Sequence, residues 1–301
     1  MSKEKFLNPD YTADENTREE IETLHKDGES LSGIQLKLAD MKNAKLVNAD
    51  LSNTDLTRAD FSGASLYGVN LEGANLFKTN LEGANLKSAN MKNCNMLGAD
   101  FTNTRLNNVD FGADNKAINE IEADSALSSG NIDLANEKYK ESEDIYRALK
   151  MSLQSQSLGE DAGKIFLREM IVKRKQLPLL SPLRIAHKFA HLAFGYGEKI
   201  GNILYSIITV IIISAIFYGI EGVSYGNYTL GFWGDVEQFG GILNVIGNLL
   251  YFSVVVFSTV GFGEILPIGP LGKSIMMVEG IAGGLILSIF MIAVYRQLMD
   301  R

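Results

Sequence analysis

The chain reads as a multidomain membrane protein in three parts: a solenoid, a helical linker and an all-α segment with two membrane spans. Three observations predict this class. Large apolar residues recur at every fifth position from Leu31 through Leu106 and Phe111, seventeen times without a slip. Helical periodicity replaces that repeat between residues 113 and 180. Two nearly uninterrupted apolar runs then follow, 21 residues over 200–220 and 22 over 274–295. At about 1.5 Å per helical residue each crosses roughly 30 Å, the thickness of a hydrocarbon core.

The first 30 residues are acidic, nine acids against four bases, and 14–26 is rich in helix formers with Ile21 and Leu24 on one side. This predicts an N-terminal helix that covers the end of the repeat. The repeat itself occupies 31–112. A period of five fits neither a helix nor a flat strand, and such self-similarity implies coils that bury their apolar side chains only against their neighbours. Two residues before most of the large apolar positions stands a small one, as at Ala39, Ala44, Ala49, Ala59, Ala64, Ala74, Ala84, Ala89 and Ala99. This pattern, A(D/N)LXX, resembles the pentapeptide-repeat family. The resemblance implies a right-handed quadrilateral β-helix with four pentapeptides per coil, so that residues 20 apart stack at about 4.8 Å.

In that geometry the Leu, Met, Phe and small residues point inward. Cys94 takes a small-residue slot, and a single cysteine builds no disulfide framework. Outward positions stack Phe77 with Leu97 and Val47 with Tyr67, apolar pairs that suggest docking of the neighbouring helical segment, another subunit, or an unknown cytoplasmic ligand or protein, with inert surface decoration as the alternative. Mimicry of nucleic acid is excluded by charge. Residues 31–112 carry eight bases and eight acids, whereas a duplex mimic needs a strong field of one sign. The net charge of -8 arises in the flanking segments, with eleven acids against five bases over 113–163.

Within the linker, helices are expected over 116–128, 131–156 and 159–176, punctuated by Gly130 and Gly159, with Leu134, Tyr139, Ile145, Tyr146 and Leu149 at helical intervals. They are weakly similar to tetratricopeptide hairpins, and 161–175 resembles linkers ahead of pores in other pentapeptide-channel fusions. Residues 181–199 then read as an interfacial helix opened by Ser181-Pro182. Ile185, Phe189 and Leu192 share a face opposite Arg184, Lys188 and His191, an arrangement that resembles a slide helix. His187 and His191 have metal-ligand spacing but no evident third ligand. Interfacial packing and sensing of protons or metal both remain open for them.

The last segment, 200–301, divides into a first span over 200–220, a re-entrant helix over 245–258, the string Thr259-Val260-Gly261-Phe262-Gly263, and a second span over 274–297. Non-helical backbone at membrane depth must line water or protein. Glycine at alternate positions reaches φ > 0, which turns successive carbonyls the same way, and a ring of such carbonyls replaces the hydration shell of a cation. TVGFG, followed by an acid and a proline, resembles the potassium-channel pore signature over about residues 200–298. The resemblance implies a homotetramer of two-span subunits in the lipid bilayer, with K+ as the permeant ligand at the Thr259–Phe262 carbonyls.

It also assigns roles around the string. Glu264 stands at the outer mouth, where the family usually has aspartate. Phe262 replaces the commoner tyrosine, and Tyr251 and Phe252 stand where many members have tryptophan, which predicts a cuff poor in hydrogen bonds. Val255 replaces a glutamate that in some channels couples to the acid after the filter. Ser258, Tyr251, Phe252 and Glu279 are expected to support the filter, Glu279 because a carboxylate in hydrocarbon needs a partner or a function. Gly283 matches the gating-hinge glycine, and close helix packing is an alternative reason for it.

Charge sets the expected orientation. Residues 164–199 carry eight bases against two acids, whereas 221–272 has no Lys or Arg, so both termini are expected in the cytoplasm of a cell with the protein in its inner membrane. Glu221, Asp235, Glu237 and Glu264 then face outward and concentrate cations. The polar start carries no secretory signal, so the first span is expected to direct insertion. No nucleophile, base and orienter assemble, nor any nucleotide-binding glycine motif or arginine-spaced voltage sensor. The expectation is a channel rather than an enzyme, with no cofactor and no nucleic-acid partner. A weakly selective cation channel and a membrane-anchored scaffold are the alternatives.

Overall fold

The computed structural model describes residues 3–299; Met1, Ser2, Asp300 and Arg301, at the limits of the first and last expected segments, lie outside the described residues. The chain forms two compact bodies, one ending at Ile185 and one running from Ala186 to Met299.

In the first body, parallel bridges join residues 20 apart, from Gln35 with Asp55 to Asn90 with Asp110. The Leu36 N–H donates to the Asp55 carbonyl at 2.8 Å, and the Asp55 N–H donates to the Ile34 carbonyl at 3.1 Å. Each corner is a four-residue turn, such as the one closed by the Ala39 N–H on the Leu36 carbonyl at 3.1 Å. Its third residue is left-handed, as at Asn43 (φ 58°), Asn48 (φ 56°) and Gly63 (φ 66°). That need explains a second period-five pattern, Asn or Gly two residues after most of the large apolar side chains, since these residues enter the left-handed region at least cost. The D/N position forms a ladder of its own, with Asn70 Nδ2 donating to Asp50 Oδ1 and Asn90 Nδ2 to Asn70 Oδ1, both at 3.0 Å.

The interior is closed. The large apolar residues and the alanines between them are buried, and Thr54, Thr79 and Thr104 enter the core by donating their hydroxyls to the carbonyls of Leu31, Leu56 and Leu81. Cys94 follows the same rule, its thiol reaching the Leu71 carbonyl at 2.9 Å, and burial pushes its pKa up to about 12. The outward pairs differ from each other. Val47 and Tyr67 are exposed as expected, but Phe77 is half-buried under the Lys78 ammonium, and Leu97 packs against the core. The expected bare pair at 77 and 97 is therefore covered in part by its own chain.

Both ends of the coil are occupied. A 3₁₀ turn, Lys3–Leu7, places Phe6 in the core, and its carbonyl accepts the Gln35 N–H at 2.7 Å, the bond that a preceding coil would make. Helix α1 (Thr17–Lys26) adds the buried Ile21 and Leu24, while Phe6 was not legible as a cap. At the far end the Leu106 N–H meets Gln156 Oε1 at 3.1 Å, and the Ser152 hydroxyl donates to the Phe101 carbonyl at 2.7 Å.

Ser152 and Gln156 belong to a three-helix layer of α2 (Ile118–Ser128), α3 (Ile132–Ser155) and α4 (Gly159–Gln176), with Gln156 as the C-cap of α3. Tyr139, Ile145, Tyr146 and Leu149 are buried as their spacing predicts, whereas Leu134, in the first turn of α3, is exposed. An ion network crosses this layer. Glu120, fully buried, accepts from Arg168 (2.5 and 3.2 Å), from Lys175 (3.0 Å) and from the Tyr146 hydroxyl (2.7 Å). Burial raises the Glu120 pKa, but the Arg168 hydrogen bonds and charge, with Tyr146 and Lys175, outweigh it and hold the carboxyl below its ordinary value.

The second body holds most of α5 (Pro182–Phe194), then α6 (Ile200–Glu221), a small antiparallel sheet, α7 (Ile242–Phe257) and α8 (Pro270–Met299). Helices α6 and α8 are long and apolar enough to span a membrane. Strands β1 (Val223–Tyr225), β2 (Tyr228–Leu230) and β3 (Ile265–Pro267) lie in the order β2-β1-β3, with Val223 opposite both Leu230 and Pro267. Runs of three residues leave no alternation to read, so this sheet was not predicted.

Two helices begin earlier than their hydropathy suggests. Helix α7 starts at residue 242, directly after left-handed Gly240 (φ 73°) and Gly241 (φ 106°) break the preceding turn. Helix α8 starts at Pro270, where a missing N–H costs nothing, and the Glu221 carboxylate accepts the N–H groups of Leu271 and Gly272. A Cβ at Gly269 or Gly272 would strike that carboxylate, so a side chain at either position would displace the cap.

Candidate ion-conduction site

The string 259–263 leaves the C-terminal end of α7 and leads within two residues into β3. Its φ angles are positive at Thr259 (60°), Gly261 (58°) and Gly263 (80°), every second residue. The two glycines reach this region freely, but a β-branched threonine does so only under constraint, and such strain concentrates at functional sites. Glycine content suggested the alternation at 261 and 263; nothing in the sequence marked Thr259 as the third member. Val260 and Phe262 turn their side chains to the surface of this chain, 56% and 67% exposed.

Helix α7 holds the string by its last carbonyls. The Thr259 N–H donates to the Val256 carbonyl at 2.9 Å, the Val260 N–H to Val255 at 3.2 Å, and the Ser258 hydroxyl also to Val255 at 3.2 Å. Ser258 thus caps the helix that delivers the string. Tyr251, Phe252, Val255, Gly261, Phe262 and Glu264 line an apolar cavity of about 250 Å³ behind it.

The acid after the string is not left uncoupled. The Tyr251 hydroxyl, one helical turn before Val255, donates to Glu264 Oε1 at 2.5 Å, so this acid has a partner on α7 although Val255 offers it none. Phe252 has a different task, packing its buried ring on Tyr218 of α6 with centroids 4.7 Å apart.

Glu279, 1% exposed in α8, gathers three helices. Its carboxylate accepts the Tyr218 hydroxyl of α6 at 2.6 Å and the Ser253 hydroxyl of α7, while Ser253 lies 2.9 Å from the Ile211 carbonyl of α6. Hydroxyl donors satisfy the carboxylate at low dielectric, which is what its place in an apolar span demands. One turn on, Gly283 meets the end of α7. A Cβ there would collide with the Phe257 carbonyl, whereas Gly284 has nothing within 4 Å, so close approach accounts for the glycine at 283.

The four acids expected to face outward separate. Glu221 caps α8, and Asp235 Oδ2 accepts the Thr229 N–H at 2.8 Å, so both serve the local fold rather than a mouth. Glu237 is exposed, and Glu264 is tied to Tyr251. At the opposite end of the spans, His187 and His191 both lie against the Tyr196 ring, with centroids 5.9 and 5.6 Å away. Among the described residues no group of three or more His, Cys, Asp or Glu is placed to hold a metal.

Comparison with known proteins divides the chain in the same way. Pentapeptide repeats, eight copies, match residues 34–73 and 74–112, and an ion channel family matches 205–300. No curated protein matches the chain. Among solved structures, the pentapeptide repeat protein Rfr23 from the cyanobacterium Cyanothece 51142 is 36% identical over 30% of this chain and 60% of its own, with a TM-score of 0.28. The pentapeptide repeat protein alr5209 from Nostoc Pcc 7120 is 28% identical over 31% of this chain and 76% of its own, with a TM-score of 0.29. The chain thus spans less than two thirds of the first of these relatives. The chain thus joins a β-helix that matches pentapeptide repeats to a segment that matches an ion channel family and carries two helices long and apolar enough to span a membrane.

Proposed function

We propose that the protein is a homotetrameric potassium-selective channel of the inner membrane, with both termini cytoplasmic and a β-helix body that serves gating or assembly. The observation that carries this reading is the alternation of positive φ at Thr259, Gly261 and Gly263, delivered by the C-terminal end of a short apolar helix between two spans. Alternating handedness points successive carbonyls to one side, and one chain supplies one wall of a ring. Four walls enclose a file of dehydrated K+ ions at the Thr259–Phe262 carbonyls. The partial negative charge at the end of α7 favours a cation there.

Left-handed Thr259 closes the end of α7, with its N–H on the Val256 carbonyl and the Val260 N–H on the Val255 carbonyl, and this cap sets where the string leaves the helix. The exposure of Val260 and Phe262 supports assembly, since such side chains in a membrane need protein or lipid around them. Residues 164–199, with eight bases against two acids, support the orientation.

Flux from vesicles loaded with K+ tests the proposal, with Gly261→Ala as control. Potassium efflux should exceed that of empty vesicles, fall to their level in the variant, and give a reversal potential set by the K+ gradient rather than the Na+ gradient. A reversal potential midway between the two assigns a weakly selective channel, and no flux at all leaves a membrane-anchored scaffold. Deleting residues 1–180 tests the regulatory half; unchanged open probability and assembly would remove it.

A further inference from the structure

The segment between β2 and α7 has no part in the conduction site, yet it holds two aromatic rings in opposite situations. Phe232 is seated: its N–H donates to the Gly219 carbonyl at 2.7 Å, and a Cβ at Gly219 would lie 2.5 Å from its ring, so that glycine is the socket. Trp233, next in the chain, is 86% exposed. It is the only tryptophan in the protein.

Gly219 lies in the last turn of α6, so the Phe232 bond holds Trp233 level with the end of a 22-residue span. That is the depth at which hydrocarbon gives way to headgroups and where indole, with an apolar body and one N–H donor, is most favourably placed. Below Phe232, an apolar groove of about 160 Å³ runs between α6 and α7, lined by Ile212, Ala215, Ile216, Ile246 and Leu249. Residues 221–272 contain no Lys or Arg, and the cation at this end of the spans is Lys273, exposed in the first turn of α8 beside the Glu221 cap.

We propose that Phe232-Trp233 is a membrane-interface anchor, in which the Trp233 indole docks in the headgroup layer of the bilayer at the Glu221 end of α6. The anchor rests on the spans crossing a membrane and not on what ion they pass. Phe232 pins the loop to α6, Trp233 pins it to lipid, and β1, which follows α6 directly, pairs with β3 at the exit of the conduction site.

A single tryptophan makes the test direct. The full-length protein, reconstituted in phosphatidylcholine vesicles without an ion gradient, emits from Trp233 alone, and Trp233→Phe should remove the signal while leaving assembly intact. Lipids brominated near the headgroup should quench emission about twofold and those brominated near the chain ends far less, with aqueous iodide acting weakly. Full iodide quenching without bromine quenching would place Trp233 in water, and protection from both quenchers would place it against another chain; either overturns the proposal. Failure of K+ flux leaves it standing.

Discussion

Leu66 in the β-helix and Ile281 in α8 are both aliphatic side chains in regular structure, yet the first is 1% exposed and the second 66%. In the first body every coil buries its apolar row against the next, and the two ends are closed by Phe6, α1 and α3. In the second, α6 and α8 turn much of their apolar surface outward, and the conduction string lies bare. One body completes its core with its own residues, while the other leaves much apolar surface uncovered, which is the expected division between a solenoid in water and a segment whose solvent is hydrocarbon. Buried acids divide likewise. Glu120 is matched by guanidinium, ammonium and phenol, whereas Glu279 is held by two hydroxyls.

The largest expected effect sharpens the role of packing in the second body. Gly283→Ala drives a methyl group into the Phe257 carbonyl and should cost about 3 kcal/mol per chain, read as loss of assembled protein on native electrophoresis. Gly284→Ala should assemble normally. A Gly283→Ala variant that assembles fully but changes open probability would break this contrast and favour a hinge.

Glu120→Ala strands Arg168 and Lys175 beside a cavity and should destabilise the helical layer by about 3 kcal/mol, measured by hydrogen exchange on α2 and α4. Exchange in the coils around Leu66 should rise less, because the β-helix core does not depend on that carboxylate. Equal losses throughout would merge the layer and the coils into one cooperative unit.

Acid probes the same network with a definite sign. Glu120, Asp124 and Glu169 are each raised by burial but lowered more by their cationic partners, so their folded pKa values lie below the unfolded ones. The stability they contribute is fully present above the ordinary carboxyl values of 3.8 and 4.5 and is lost as pH falls through the depressed folded values. Melting temperature of the helical layer should therefore be flat near neutrality and decline below about pH 4.5.

Smaller effects follow at single groups. Tyr251→Phe removes the hydrogen bond to Glu264 and should cost about 1 kcal/mol, visible as a few-fold faster decline of K+ current under sustained conduction. Cys94, with its thiol buried and its pKa near 12, should resist maleimide in the native protein and react on unfolding. Modification of the native thiol would show that the coils open far more readily than their packing implies.

Periodicity carried most of the fold. A strict five-residue repeat has one economical solution, and 21 or 22 apolar residues have one medium, so the coils, the linker helices and the spans were legible within a few residues. TVGFG marked the conduction string by its glycines. What escaped was set by contacts between distant segments: Phe6 closing the coil, Tyr251 reaching Glu264 thirteen residues on, Glu221 leaving the mouth to cap α8, and three short strands joining α6 to the exit of the string.

By itself the sequence determined which residues are apolar, at what period, and where glycine frees the backbone, because these are properties of local chemistry. Only the tertiary structure decided which polar groups meet. It turned Glu279 from an anomaly in a span into the hydrogen-bonded centre of three helices, and Gly283 into a point of contact. It also put Thr259 into a conformation that its own side chain disfavours. A hydrogen bond or a close approach depends on two positions at once, and the chain fixes their distance only when it is folded.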